Sequence, residues 1–208
     1  LQQFGIMEAS VGKSGFFTAL YIVMIPVIGI FIGKRPGIKL WFCVALAVVG
    51  MYLLCMKDGS FTIERADIML LLCALAFSFH ILVVDYFSPK VDGVKMSCIQ
   101  FFVCGVLSAA GMLFTETPDI SNIQAAWLPL LYAGLLSCGV GYTLQIVGQK
   151  GINPVIASLI MSLESVISAL AGWVILGQVL SPKEILGCVL MFVAIIITQI
   201  PIGNKKTD

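Results

Sequence analysis

Glu164 is the residue of this sequence whose type and position most directly suggest chemistry. It follows Pro154 by ten residues inside a long apolar run, which at about 1.5 Å per residue places its carboxylate roughly 15 Å into a helix. A carboxylate at the centre of a bilayer is costly unless it is protonated, paired or hydrated. We therefore predict that Glu164 holds a proton or an amine. The alternative, a protonated Glu164 that only hydrogen-bonds a neighbouring helix, stays open.

Two polar residues are expected to work with Glu164. Ser168 follows it by four residues, so the two lie on one helix face, where the hydroxyl can hydrogen-bond the carboxylate. Tyr21 is the counterpart of Glu164 in an internal repeat described below, and its hydroxyl can bind a solute near the membrane midplane. A packed Tyr21 with a satisfied hydroxyl is the simpler alternative.

Three further polar residues lie inside apolar runs. His80, the only histidine, suits a proton relay because an imidazole gains and loses a proton near neutral pH; a neutral His80 bonded between helices is the alternative. Gln100 and Gln145 either line a cavity or bridge helices by hydrogen bonds. Asp85 lies nearer the end of its run, where an interface anchor explains it.

Small residues form two stripes with spacings of four, three, four and three, which in lipid allow helices to approach closely. We predict helix packing at both. The first stripe is Ser158, Ser162, Ser165, Ala169 and Gly172, and the second is Gly134, Cys138, Gly141, Gln145 and Gly148.

Pro26, in the first complete run, removes a backbone hydrogen bond and permits a kink. The kink either shapes a solute site or only shapes packing.

Membrane helices are the elements that must position these residues. Of the 208 residues, 60% are hydrophobic and 11% charged, and the mean hydropathy is +1.06, which excludes a water-soluble globule. Twelve Lys and Arg against eleven Asp and Glu give no basic excess for nucleic acid. The seven cysteines are scattered singly, as small buried hydrophobes are, so neither a metal site nor a cofactor is expected.

Seven runs, which contain no Lys or Arg except Lys39 at the start of one of them, have roughly the 20 residues that a helix needs to cross a bilayer core. They predict an all-α, polytopic membrane helix bundle. Eight Lys and Arg fall on the side of the C-terminus and four on the other side, which favours a cytoplasmic C-terminus. The runs are 15–33, 38–56, 66–87, 96–114, 124–147, 154–177 and 185–200.

The sequence also repeats itself. Residues 1–33 pair with 144–176 at an offset of 143, with seven identities, and Cys43 then pairs with Cys188. The second copy has five spans, and an odd number reverses its orientation, so we predict an inverted repeat of five helices that is complete in the second copy and truncated in the first. The predicted domains are residues 1–57 (the end of the first repeat), 66–201 (the second repeat) and 202–208 (a cytoplasmic tail).

The missing part of the first copy leads us to expect that the chain is a fragment of a ten-helix protein of about 286 residues. The inverted repeat itself is a common transporter architecture, in which the solute site lies where the two copies meet.

Several motifs resemble EamA-type members of the drug/metabolite transporter superfamily. Residues 15–26 (GFFTALYIVMIP), 33–36 (GKRP) and 49–54 (VGMYLL) resemble their fourth and fifth helices, and 157–165 (ASLIMSLES), 176–178 (LGQ) and 187–190 (GCVL) resemble the ninth and tenth. Ser165 stands where the family often has Pro, and Gln178 where it often has Glu. The likeness covers essentially the whole chain, although its motifs are diffuse.

The resemblance implies a ten-helix permease of the cytoplasmic membrane that moves small organic solutes, such as amino acids, metabolites or drugs, by alternating access. The lipid bilayer and a small-molecule substrate are the expected partners. A nucleotide-sugar or multidrug carrier, or a membrane scaffold without transport activity, are the alternatives. An enzyme is disfavoured because HExxH, GxSxG and paired intramembrane Asp are absent, and a channel because no acidic ring or carbonyl filter is present.

Overall fold

Helices are the regular elements of the described chain, which comprises residues 1–9, 11–34, 36–55, 64–115, 120–177 and 179–200 of a computed structural model. The predicted polytopic helix bundle is confirmed. A π-helix, Tyr132–Tyr142, joins α8 to α9. The α-helices are α1 (Gln2–Glu8), α2 (Val11–Ala19), α3 (Tyr21–Phe31), α4 (Ile38–Cys55), α5 (Arg65–Phe87), α6 (Gly93–Thr115), α7 (Ile120–Ala125), α8 (Trp127–Leu131), α9 (Thr143–Gln149), α10 (Pro154–Met161), α11 (Leu163–Leu176) and α12 (Pro182–Gln199).

Seven stretches of the described helices are long and apolar enough to cross a membrane. Each end lies within three residues of the corresponding run in the sequence. The agreement follows from the bilayer, since the thickness of its hydrocarbon core fixes the length of an apolar helix. The spans are Ser14–Phe31, Ile38–Cys55, Arg65–Phe87, Gly93–Thr115, Trp127–Gln149, Pro154–Ile175 and Pro182–Gln199.

Local capping sets several helix ends. The Asn153 side chain accepts a hydrogen bond of 2.9 Å from the first turn of α10. Ser181 and Glu184 form a capping box at the start of α12, with reciprocal bonds of 3.3 and 2.7 Å. Both helices begin with proline, which needs no hydrogen-bond acceptor in the first turn. Gly177 ends α11 at φ 65°, a left-handed conformation that glycine adopts without strain.

The chain divides into two compact units, Leu1–Leu82 with Asn153–Asp208, and Val83–Ile152. The first unit contains α1 to α4, most of α5, and α10 to α12. Its core is an apolar cluster contributed by α2 to α5 and the last three helices, and it includes Ile22, Ile25, Met51, Leu70, Leu159, Val166 and Met191.

Helices α4 and α12 pack against each other through two glycines. A Cβ at Gly187 would lie 2.6 Å from the Gly50 carbonyl oxygen and 2.8 Å from the Leu54 nitrogen, so only glycine permits this approach. At the other end of the pair, the Lys39 ammonium, near the start of α4, donates to the carbonyls of Thr198 (3.3 Å) and Ile200 (2.5 Å) where α12 ends. The two helices therefore run antiparallel, as repeat-related helices of opposite orientation would.

The second unit contains α6 and the span built from α8, the π-helix and α9. The hydroxyls of Ser97 and Thr143 are 2.6 Å apart and join α6 to α9. Few described side chains of these helices are buried; they are Ser97, Ile146 and Gln149. The spans of this unit thus leave most of their apolar surface uncovered by the rest of the unit.

Some sequence-based expectations fall outside the described residues. They are the departure at Gln178, the tail 202–208 and the boundary of the first repeat at residue 57. The limits of the two repeats stay predictions, because the repeats are defined by internal sequence similarity, whereas the two units are defined by how the chain packs.

Candidate functional site

Two spans of the first unit are interrupted at corresponding places. Leu20 separates α2 from α3, and Ser162 separates α10 from α11. Their backbones are nearly alike, with φ −62° and ψ −7° at Leu20, and φ −63° and ψ −15° at Ser162. The repeat offset places Leu20 opposite Leu163, one residue beyond Ser162. Two spans that the sequence pairs therefore share the same local break.

Each break is a tight turn. The Val23 N–H donates to the Leu20 carbonyl at 3.0 Å, and the Ser165 N–H donates to the Ser162 carbonyl at 3.2 Å. Such bonds over three residues are typical of short 3₁₀ turns, which often mark a functional hinge when they interrupt a helix. Both breaks are confined to one residue, because the backbone stays in the right-handed helical region and the Met24 N–H also donates to the Leu20 carbonyl at 3.1 Å, as in an α-helix.

Tyr21 and Glu164 follow these two breaks directly. Tyr21 is the first residue of α3, and Glu164 is the second residue of α11. Residues that the sequence pairs through the repeat offset, Tyr21 with Glu164, thus hold corresponding positions directly after the two breaks.

Glu164 is exposed, and its carboxylate forms neither an ion pair nor a hydrogen bond within the described part of the chain. It lies in the first turn of α11. Ser168 lies one turn further along, also exposed, and does not hydrogen-bond Glu164. The carboxylate is therefore available to a proton or to a cationic group from outside these residues.

Aromatic rings extend the site from Tyr21 to α5. The ring centroids of Tyr21 and Phe77 are 5.9 Å apart with an interplanar angle of 32°, and those of Phe77 and His80 are also 5.9 Å apart, at 57°. These separations are within the range of favourable aromatic contacts. His80, half-buried, is thus linked to Tyr21 through one intervening ring.

Sequence reasoning missed Phe77. The available signal was its position three residues before His80, which puts the two on one face of α5. In an apolar span that contains several phenylalanines, this spacing alone does not single it out.

The serine stripe lies partly in the core. Ser158 and Ser162 are buried, and their hydroxyls donate to backbone carbonyls of their own helix at 2.8 and 2.6 Å. Because these hydroxyls are satisfied locally, the two small side chains allow α10 to pack against α3, α4 and α12 without a polar cost. Gly172 is buried and Ser165 half-buried; close packing at these two stays a prediction.

The two glutamines lie in the second unit. Both are half-buried, and the Gln145 side-chain nitrogen is buried without a hydrogen-bond acceptor among the described residues. One polar contact between two helices of this unit is the Ser97–Thr143 pair, which sequence reasoning did not identify. A solute-binding role for Gln100 and Gln145 stays a prediction.

The predicted glycine stripe of the second unit assumes the spacing of an α-helix, and this assumption is wrong for residues 132–142, which form a π-helix. Gly134 and Gly141 lie in the π-helix, whose hydrogen bonds span five residues, so spacings of four and three do not keep one face there. No described atom lies within 4 Å of a Cβ built at Gly134, and at Gly141 the one atom within that distance is the Leu136 carbonyl of the same π-helix. Helix packing at these glycines stays a prediction.

Pro26 lies inside α3, which continues through it from Tyr21 to Phe31. The interruption of this span is at Leu20, six residues earlier. The break therefore falls before the turn in which proline removes its hydrogen bond.

Metal and thiol chemistry have no organised site in the described chain. No group of three or more His, Cys, Asp or Glu side chains in its residues is placed to hold a metal ion. The seven cysteines are free thiols. The polar cluster around Glu164 is thus the candidate site of the first unit.

Comparison with known proteins gives the chain a clear set of relatives. Residues 64–200 match the model of the EamA-like transporter family. An uncharacterized transporter of Archaeoglobus fulgidus is 30% identical over 200 residues, which are 96% of this chain and 64% of the relative. The uncharacterized transporter YwfM of Bacillus subtilis is 26% identical, over 84% of this chain and 59% of the relative. The chain thus spans about three fifths of the length of these two relatives.

A solved crystal structure shares the fold. It superposes with a TM-score of 0.78 at 16% sequence identity, covering 94% of this chain and 69% of the other. At this identity the similarity concerns the arrangement of helices and not the chemistry of a site.

Proposed function

The chain belongs to the EamA-like transporter family, and from this premise we propose that it acts as an integral membrane permease for small organic solutes. The solutes are molecules of the size of amino acids, metabolites or drugs, and they cross the cytoplasmic membrane by alternating access without chemical change. The Lys and Arg distribution supports a C-terminus on the cytoplasmic side.

The observation that carries this proposal is that Tyr21 and Glu164 directly follow matched breaks in two spans that the repeat relates. Inverted repeats place the solute site near the membrane midplane, on discontinuous helices of both copies. Glu164 supplies a charge from one copy and Tyr21 a hydroxyl from the other. A change in the relative tilt of the two copies would then expose this pair to one side of the membrane or the other.

Glu164 is also the group through which we propose that transport is coupled to protons. Its carboxylate has no counter-charge among the described residues, so protonation or solute binding is needed to neutralise it when the site is closed to water. His80 is separated from Tyr21 by the Phe77 ring, which carries no exchangeable proton, so the proposal assigns the proton to Glu164 and no direct transfer to His80.

The test uses the complete gene product in lipid vesicles with a pH gradient and a panel of solutes. We expect a transported solute to collapse the gradient with wild-type protein and not with Glu164→Gln. Glu8→Gln, a change of the same chemistry at an exposed residue of α1, is the matched control and retains activity. Equal collapse by wild type and Glu164→Gln would refute the coupling role, and the absence of flux for every solute would refute the permease.

A further inference from the structure

We propose that α4 and α12 form a fixed pair of the bundle, against which the two interrupted spans of the first unit move. The pair keeps its internal distances while α3 and α11 change their positions. This inference rests on the proposed function, because it identifies which helices of the proposed permease carry alternating access.

The two helices pack along a buried seam. On each helix, four buried residues recur with spacings of four, three and four, the repeat that keeps one helix face against a partner along its length. Most of these side chains are small, which in a membrane allows two helices to approach closely. They are Cys43, Ala47, Gly50 and Leu54 on α4, and Gly187, Met191, Ala194 and Thr198 on α12.

Backbone meets backbone where the seam is tightest. A Cβ at Gly50 would lie 2.8 Å from the Gly187 carbonyl oxygen, and a Cβ at Gly187 would lie 2.6 Å from the Gly50 carbonyl oxygen. The close approach is thus reciprocal. Closely packed interfaces do not deform continuously, so the two helices either keep this contact or lose it altogether.

A second attachment holds the same two helices. The Lys39 ammonium donates to the carbonyls of Thr198 and Ile200 at the end of α12. Lys39 precedes Gly50 by eleven residues, which is about 16 Å along a helix. Two attachments at this separation fix both the distance and the crossing angle of the pair.

The repeat-related spans beside the pair are built differently. α4 and α12 are each one uninterrupted helix of 18 residues, whereas the spans Ser14–Phe31 and Pro154–Ile175 are interrupted at Leu20 and Ser162 by turns with bonds over three residues. A short turn of this kind within a helix often marks a hinge. We therefore assign the motion to the interrupted spans and the fixed contact to the pair, which has one helix from each copy of the sequence repeat.

Distances between nitroxide labels, measured by electron paramagnetic resonance, test this assignment. The complete gene product is labelled through an introduced ketone amino acid, which leaves the seven native thiols unmodified, and is placed in lipid vesicles. One label pair is at Val49 of α4 and Val189 of α12, and the other is at Ile30 of α3 and Val174 of α11; all four positions are exposed. Both distances are measured at acidic and at neutral pH, with and without each solute of the transport panel.

We expect the Val49–Val189 distance to stay constant under every condition. The Ile30–Val174 distance should change in at least one of them by about 1–2 Å or more, the scale of functional helix shifts. A change of that size between Val49 and Val189 would overturn the proposal. So would an Ile30–Val174 distance that stays constant throughout.

A substitution at the crossing tests its cause. Gly187→Ala should broaden or lengthen the Val49–Val189 distance distribution, because the added methyl meets backbone atoms of α4. Gly105→Ala, the same change inside α6, should leave it unaltered. An unaltered distribution in Gly187→Ala would overturn the part assigned to the glycine crossing.

The two proposals fail in different ways. If both label pairs behave as expected but no solute crosses the vesicle membrane, the permease is wrong while the fixed pair stands. If a solute is transported and the Val49–Val189 distance changes with it, the fixed pair is wrong while the permease stands.

Discussion

Replacement of Gly187 by alanine tests the packing of α4 against α12. The added methyl would lie 2.6 Å from the Gly50 carbonyl oxygen and 2.8 Å from the Leu54 nitrogen. Both are backbone atoms, so no side-chain rotation relieves the contact, and the helices must separate by several tenths of an ångström to reach an ordinary distance. Overpacking of this kind costs about 3 kcal/mol at the upper end of the usual range.

Alanine also has a higher helix propensity than glycine, and this gain offsets about 1 kcal/mol of the overpacking cost. The net expectation for Gly187→Ala is a loss of about 2 kcal/mol, which for a protein of this size lowers Tm by about 4–8 °C. The assay is thermal unfolding in detergent, and the signal is the reaction of buried cysteines with a fluorescent thiol reagent as they become accessible.

Gly105→Ala is the matched control. Gly105 lies inside α6, where no described atom lies within 4 Å of an added Cβ, so the same chemical change brings only the propensity gain. We expect Gly105→Ala to unfold at or slightly above the wild-type temperature. A Gly187→Ala protein as stable as Gly105→Ala would refute the close approach of the two helices.

Three further substitutions have defined outcomes. Tyr21→Phe keeps the ring beside Phe77 but removes a hydroxyl that has no hydrogen-bond partner within the described chain, so unfolding should change by less than about 0.5 kcal/mol while solute flux in vesicles falls; a large loss of stability would contradict this. Lys39→Met removes the bonds to the last carbonyls of α12 and should cost about 1 kcal/mol in thermal unfolding, whereas Lys39→Arg should retain most of the stability. Ser181→Ala breaks the capping box and should cost about 1 kcal/mol in the same assay; an unchanged Tm would show that the cap contributes nothing.

The transmembrane spans were predictable because a bilayer imposes one length on every apolar helix. Apolar runs that lack Lys and Arg, apart from Lys39 at one end, therefore gave all seven spans to within three residues at each end. The matching positions of Tyr21 and Glu164 after the two breaks were also available, since the repeat offset relates these two residues. Their roles in binding and coupling remain proposals.

The helix breaks could not be predicted from local sequence. Leu20 and Ser162 have neither glycine nor proline beside them, and the tight turns depend on how the half-helices pack. The sequence also did not single out Gly50 and Gly187 as packing positions. Glycine is common in membrane helices, and these two matter only because α4 and α12 cross at them. Phe77 became informative once its ring was placed between Tyr21 and His80.

The π-helix is the other element that sequence reasoning missed, and it bears on hydrophobic mismatch. A fully α-helical span of 23 residues is about 34 Å long, more than the roughly 30 Å of an average hydrocarbon core, so α5 and α6 must tilt or thicken the bilayer locally. The span Trp127–Gln149 has the same number of residues, but eleven of them are wound as a π-helix, which is wider and rises less per residue. This span therefore fits the core at a smaller tilt, and a thicker membrane would strain it more than its α-helical neighbours.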